Sequence, residues 1–162
     1  MKWFSCELEY SQPEACQASQ PVASILKLRL EALLFWYTNA MTKFKFSADE
    51  ADKISKHGID LTIYNEAVQQ ANVVHVSVEE GHFQEFSDKE SYFIYYIYEG
   101  RGLFVLNDEK IEAKATDLIV IPPNTRIHYF GKMKMVLTVT PAYKEENENH
   151  VRFVDRSESP FL

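Results

Sequence analysis

Glycine is scarce in this chain, with 5 in 162 residues. None of them forms a Gly-rich loop that would cradle a phosphate, and no tract is of low complexity. Basic blocks are also missing. Lys and Arg number 17 against 24 Asp and Glu, a formal net charge of −7. Binding nucleic acid needs a basic face, so that class of partner is excluded. No apolar run is long enough to span a bilayer. The most apolar stretch, Ile25 to Tyr37, is broken by Lys27, Arg29 and Glu31. Ahead of it stand Glu7, Glu9 and Glu14 rather than a basic leader. The expectation is a cytoplasmic, non-membrane protein. Cysteine is limited to Cys6 and Cys16, which without a secretion signal read as free thiols.

What the chain does have is apolar and aromatic material, 46% and 14% of residues, enough for a folded globular protein. Its length allows one domain with one core. Residues 1–40 differ from the rest. Both cysteines and both tryptophans (Trp3, Trp36) lie there. Residues 24–37 suit either a short helix or a strand. Three readings of this segment stay open: an arm packed on the domain or on a second subunit, a mobile tail, or an extension upstream of a natural start at Met41. The domain proper is taken as 41–162.

Ser47-Ala-Asp-Glu50 has the form of a capping box, which predicts a short helix from Ala48 to about Lys56. His57 and Gly58 would close it, the glycine at the left-handed position after the last turn. After Gly58 the apolar period becomes two. Strands are predicted at Ile59–Ile63, Val73–Val78, Tyr92–Tyr98, Leu103–Leu106 and Lys110–Ala113, with a hairpin turn at Asn107-Asp108. Leu118–Ile121 reads as a buried strand. Two more follow, Arg126–Phe130 and Met133–Thr140, and a short apolar piece lies at Val151–Val154. Many short strands with turns between them indicate an all-β sandwich or barrel.

The order of residues resembles the cupin family of small jelly-roll barrels. Gly81 and Gly100 match the glycines that open and close the family's first motif, with the spacing kept. Pro123 and His128 match the proline and histidine of the second, while Asp117, Thr125 and Lys132 depart from it. The resemblance implies an all-β cupin-type jelly roll (double-stranded β-helix), here preceded by the short helix and the N-terminal arm. It usually implies one divalent metal, held by two histidines and a glutamate of the first motif and the histidine of the second. Here the first three positions are Ser87, Lys89 and Phe93. Serine is a poor ligand, lysine is cationic and phenylalanine cannot ligate, so no metal and no other cofactor is expected. A rearranged site using His75, His82 or Glu85 with His128 is the minority alternative.

If Phe93 points inward, as the family's glutamate does, Tyr95 and Ile97 share its face, and Tyr92, Ile94, Tyr96 and Tyr98 face outward. By the same resemblance His128 points inward, with Arg126 and Phe130. The candidate ligand-binding set is therefore Ser87, Lys89, Phe93, Tyr95, Arg126 and His128. Its cationic members would suit a small polar or anionic molecule, for example a sugar phosphate or a carboxylate. His128 is the candidate acid or base. The leading expectation is a metal-free binding protein without established catalysis. One alternative is an isomerase, epimerase or lyase acting on a sugar or small acid through His128. Another is a non-catalytic interaction protein with a filled barrel. Cupins are commonly dimers, and the tyrosine-rich outer face suits a homodimer.

Overall fold

The computed structural model describes residues 43–65 and 67–161. What was expected of residues 1–40, the two cysteines included, lies outside the described residues. The compact unit Lys45–Leu162 is taken here by itself.

Nine strands run in the order β1 (Asp52–Lys56), β2 (Ile59–Ile63), β3 (Asn72–Val78), β4 (Gly81–Asp88), β5 (Tyr92–Leu106), β6 (Glu109–Lys114), β7 (Leu118–Ile121), β8 (Ile127–Thr140) and β9 (Glu148–Phe153). Two long antiparallel strands form the spine. β5 pairs with β8 from Tyr92↔Thr140 to Leu106↔Ile127. On the far edge of β8 lie β3 along its C-terminal half and β4 along its N-terminal half. β2 and β1 continue from β3, β9 continues from β4, and β6 and β7 pair with β5. All these pairings are antiparallel. One long sheet thus curls on itself, and its concave face becomes the core. This is the all-β fold that the motif frame implied.

The helix predicted after Ser47 is not there, and this is a correction. The capping box does close one turn: the Glu50 amide donates to the Ser47 carbonyl at 3.1 Å, and the Ser47 amide to the Glu50 carboxylate at 3.3 Å. The turn is not propagated, because Asp52–Lys56 pairs residue for residue with β2. His57 and Gly58, with φ of 50° and 89°, are the two positive-φ residues of a two-residue hairpin turn rather than a helix stop. A Cβ on Gly58 would stand 2.4 Å from the Gly81 carbonyl oxygen, so glycine is required twice over. Two further boundaries differ. Tyr92–Leu106 and Ile127–Thr140 are each one continuous strand. β7, expected to be buried, leaves Leu118 and Val120 half exposed, because Ile119 and Ile121 take the core face and these two point away from it.

The inward-facing core residues alternate along the strands. On β8 the odd residues Ile127, Tyr129, Met133, Met135, Leu137 and Val139 are buried inward. On β5 the inward set is Phe93, Tyr95 and Ile97. The register with β8 then slips by one at Tyr98, and Phe104 takes the inner face. Full burial of side chains of this size contributes about 1.5–3 kcal/mol each. A smaller second cluster, Val105, Phe130 and Val154 with Phe83, packs on the opposite face of the β4–β8–β5 sheet.

Candidate functional site

The inner face encloses a cavity of about 210 Å³. Its walls come from β1 to β3 (Ile54, Ile59, Leu61, Ile63, Val74, Val76), from Phe93 and Tyr95 on β5, and from Tyr129, Leu137 and Val139 on β8. β4 contributes His82, Gln84 and Phe86, its even residues. Lys56, Asn65, Asn72, Tyr143 and Glu148 add polar groups. An apolar cavity with a few convergent polar groups is the usual form of a small-molecule site.

His82 is the chemically distinctive group. It is 4% exposed, and both ring nitrogens are buried without a hydrogen-bond partner among the described residues. Burial pushes its pKa down to about 3, and the nearby charges of His57, Lys56 and His128 push the same way. The ring is therefore neutral at physiological pH, and a proton placed on it is held weakly. Its ring centre lies 5.3 Å from that of Tyr129. Tyr129 and Tyr95 are also packed together, with ring centres 5.8 Å apart. Burial raises the pKa of both phenols, so both stay protonated donors. Phe104 stacks behind them, 4.9 Å from Tyr129 and 5.4 Å from Tyr95.

The remaining polar lining is tied together. The Tyr143 hydroxyl donates to one oxygen of Glu148 at 2.8 Å, and the Gln84 amide donates to the other at 3.3 Å. Gln84 also lies 3.1 Å from Nδ1 of His150. Tyr143 is anchored through its own amide, which donates to the Asn72 side chain at 2.6 Å.

Of the six ligand-binding candidates, the structure brings Phe93 and Tyr95 to the cavity and leaves four elsewhere. His128 and Arg126 have the parity opposite to Tyr129, so they lie on the outer face of β8 and before it. There Arg126 donates to Glu85 at 3.0 Å, and Nδ1 of His128 lies 4.0 Å from the same carboxylate. Burial lowers the pKa of His128, and the Glu85 charge opposes the shift. Ser87 pairs with Asn149 on that outer face, and Lys89 is exposed in the turn after β4. The metal positions of the motif are thus spread over both faces of the sheet. Ser87, Lys89, Phe93 and His128 do not fit a metal by donor chemistry or by placement. The rearranged set is divided too: His82 faces the cavity, Glu85 and His128 face away, and His75 bonds Tyr98 on the outer surface. Among the described residues no group of three or more His, Cys, Asp or Glu side chains is placed to hold a metal ion. Nor is any helix among them long and apolar enough to cross a membrane.

Gln84, Tyr129, Lys56, Tyr143 and Glu148 are missing from the sequence-based site, and His82 enters it only as an alternative metal ligand. A signal existed for Tyr129. Carrying the alternation Met133, Met135, Leu137, Val139 back along β8 puts Tyr129 inside and His128 outside. For Glu148 there was none, because β9 reaches the cavity only through pairing distant in sequence.

The sequence model of the AraC-like ligand binding domain matches residues 74–130. A protein from Methanocaldococcus jannaschii, Uncharacterized protein MJ1618, is 45% identical over 58 residues, which is 33% of this chain. The match spans 46% of that curated relative, less than half its length. Among solved structures, KdgF from Halomonas sp. shares the fold at 20% identity with a TM-score of 0.54, over 65% of this chain and 98% of that one. Streptomyces Pac13 is far nearer. A His→Gln variant of it with uridine is 56% identical, with a TM-score of 0.71, and the match covers 74% of this chain and 99% of that chain. Two Tyr→Phe variants with uridine match at 57% identity, as does a structure of Pac13 described as a unique nucleoside dehydratase. The chain belongs to the cupin superfamily, in the family of Pac13.

Proposed function

We propose that this protein is a nucleoside dehydratase, with His82 as the proton-transferring base and Tyr95 and Tyr129 as hydrogen-bond donors to the substrate. One observation carries the reading. At a single uniform offset between the two numberings, the substituted histidine and both tyrosines of the Streptomyces variants fall on His82, Tyr95 and Tyr129. The cavity holds these same three side chains together. The alternative of a sugar-directed lyase is thereby kept and moved from His128 to His82. A nucleoside replaces the sugar phosphate or carboxylate as ligand class, because the expected cations Lys89 and Arg126 lie outside the cavity.

In such a dehydration the base takes a proton from carbon, the electrons of that C–H bond form a double bond, and the neighbouring C–O bond breaks. An imidazole can do this only where an adjacent carbonyl or its equivalent takes up developing charge, so the substrate would carry one on its sugar. The phenol donors stabilise that oxygen. Protonated His82 is strongly acidic in this buried setting and returns its proton to the departing hydroxide, giving water.

Titration calorimetry with uridine should show one saturable site per chain. Tyr95→Phe and Tyr129→Phe should each slow loss of water from a sugar-oxidised uridine by about a hundredfold. Failure of uridine to bind at millimolar concentration would remove the reading.

A homodimer goes with this proposal, in a cytoplasmic setting. Tyr96, half exposed, is flanked in register by Leu118 on β7 and Val136 on β8, with Ile94 and Val120 beside them. An apolar sheet face of this width suits burial against its own copy. Sedimentation should give a dimer, and Tyr96→Glu a monomer that keeps its strand content.

A further inference from the structure

Glu148 reaches the cavity through an irregular strand, and His150 beside it meets the cavity residue Gln84. Among the described residues β9 is an edge strand that pairs with β4 only. Its register runs Gln84↔Phe153, Glu85↔Arg152, and then Phe86↔His150, Ser87↔Asn149, Asp88↔Glu148. Val151 has no strand partner among the described residues. It is the extra residue of a β-bulge, and the bulge reverses the faces of the strand. On one side of Val151, Glu148 and His150 share the cavity face with Phe86. On the other, Arg152 joins Glu85 on the outer face. Without the bulge, His150 would stand opposite Ser87 and point outward, and Glu148 would be displaced by a residue.

Something must hold that register, since the strand's side chains beyond Glu148 are exposed. Glu85 is placed to do so. It is 2% exposed, and its two oxygens accept from Arg126 at 3.0 Å and from Arg152 at 2.8 Å. Arg152 is gripped from its other side by Glu158, through two hydrogen bonds of 2.7 and 2.9 Å. Glu158 is itself fixed in the capping box of the C-terminal turn that begins at Asp155. Arg126 continues the chain of charges to Asp108. Ion pairs on a buried carboxylate such as Glu85 are weak contributors to stability but can fix one register against another.

We propose that Glu85 is a positioning residue: its ion pair with Arg152 locks the bulged register of β9 and so holds Glu148 at the cavity and His150 against Gln84. The consequence for catalysis rests on the nucleoside reading above.

The test uses the full chain and reads affinity and strand exchange together. Glu85→Gln should weaken uridine binding at least tenfold, and Arg152→Met should do the same should the first variant fold poorly. Glu148→Gln should also weaken binding, and the double variant with Glu85→Gln should be no weaker than the poorer single variant, although the two side chains lie on opposite faces of the sheet. Asp108→Asn, at the far end of the same charge chain, should leave affinity within twofold. Amide exchange across Val151–Phe153 should accelerate at least tenfold in Glu85→Gln and not in Asp108→Asn. Additive losses from Glu85 and Glu148, or unchanged exchange in β9, would overturn the proposal. If the wild-type protein fails to bind uridine, the nucleoside reading falls, and the exchange measurement alone decides the register lock.

Discussion

His82→Gln should stop turnover and leave uridine bound. The expected loss in kcat is about 10²–10⁴-fold, the usual contribution of a positioned acid–base group. Glutamine has nearly the imidazole's reach and can fill its place between Phe86 and Tyr129, but it cannot accept a proton at neutral pH. Because the ring nitrogens of His82 are unpartnered, removing them breaks no hydrogen bond within the described protein. The fold should therefore survive, with a melting temperature close to wild type. The reading predicts that KM moves little while kcat collapses, the pattern of an interaction made in the transition state. A variant that retained more than a tenth of wild-type kcat would show that His82 is not the base. By contrast, His128→Gln should leave kcat nearly unchanged, since that ring lies across the sheet among Phe130, Glu85 and Arg152.

The same histidine should govern acid stability. Unfolded, His82 takes a proton near pH 6.5, and folded only near pH 3. Between those values the unfolded chain binds more protons, so stability falls as pH drops. The contribution is fully present above pH 6.5 and is lost progressively toward pH 3. A shift of this size corresponds to on the order of 4–5 kcal/mol, a large part of an ordinary domain's stability. Urea titrations at a series of pH values would measure it. The wild-type protein should lose stability steeply across this window, and His82→Gln should lose several kcal/mol less. His57 and His128, also shifted down by burial, act in the same direction but are present in both proteins, so the difference isolates His82. Parallel curves for the two proteins would mean that the ring is hydrated rather than buried.

Much of the strand layout was readable because its cause is local. The alternation of Ile59–Ile63 and Val73–Val78 survives in place, and Asn107-Asp108 turns the chain with both residues at positive φ. Phe93, Tyr95 and Ile97 face inward, and Tyr92, Tyr96 and Tyr98 outward, as period two requires. The failures are equally physical. Ser47–Glu50 signals a helix start, but β2 offered residues 52–56 a full set of cross-strand bonds that a short isolated helix could not match. His128 was placed by analogy with a metal-binding motif, while its own strand said otherwise: the apolar odd residues from Met133 to Val139 fix Tyr129 inside.

The sequence by itself determined an acidic, all-β cupin barrel with the Gly81-to-Gly100 frame kept and three of the usual ligands replaced. Those features depend on residue type and spacing along a few consecutive positions. Only the tertiary structure decided which side chains meet. His82 joins Tyr95 and Tyr129 because β4 and β5 flank β8 in one particular register. Glu148 joins them because a single unpaired residue, Val151, turns one edge strand over. Strand register and bulges are set by contacts between segments far apart in the chain, and a shift of one residue exchanges the inside for the outside.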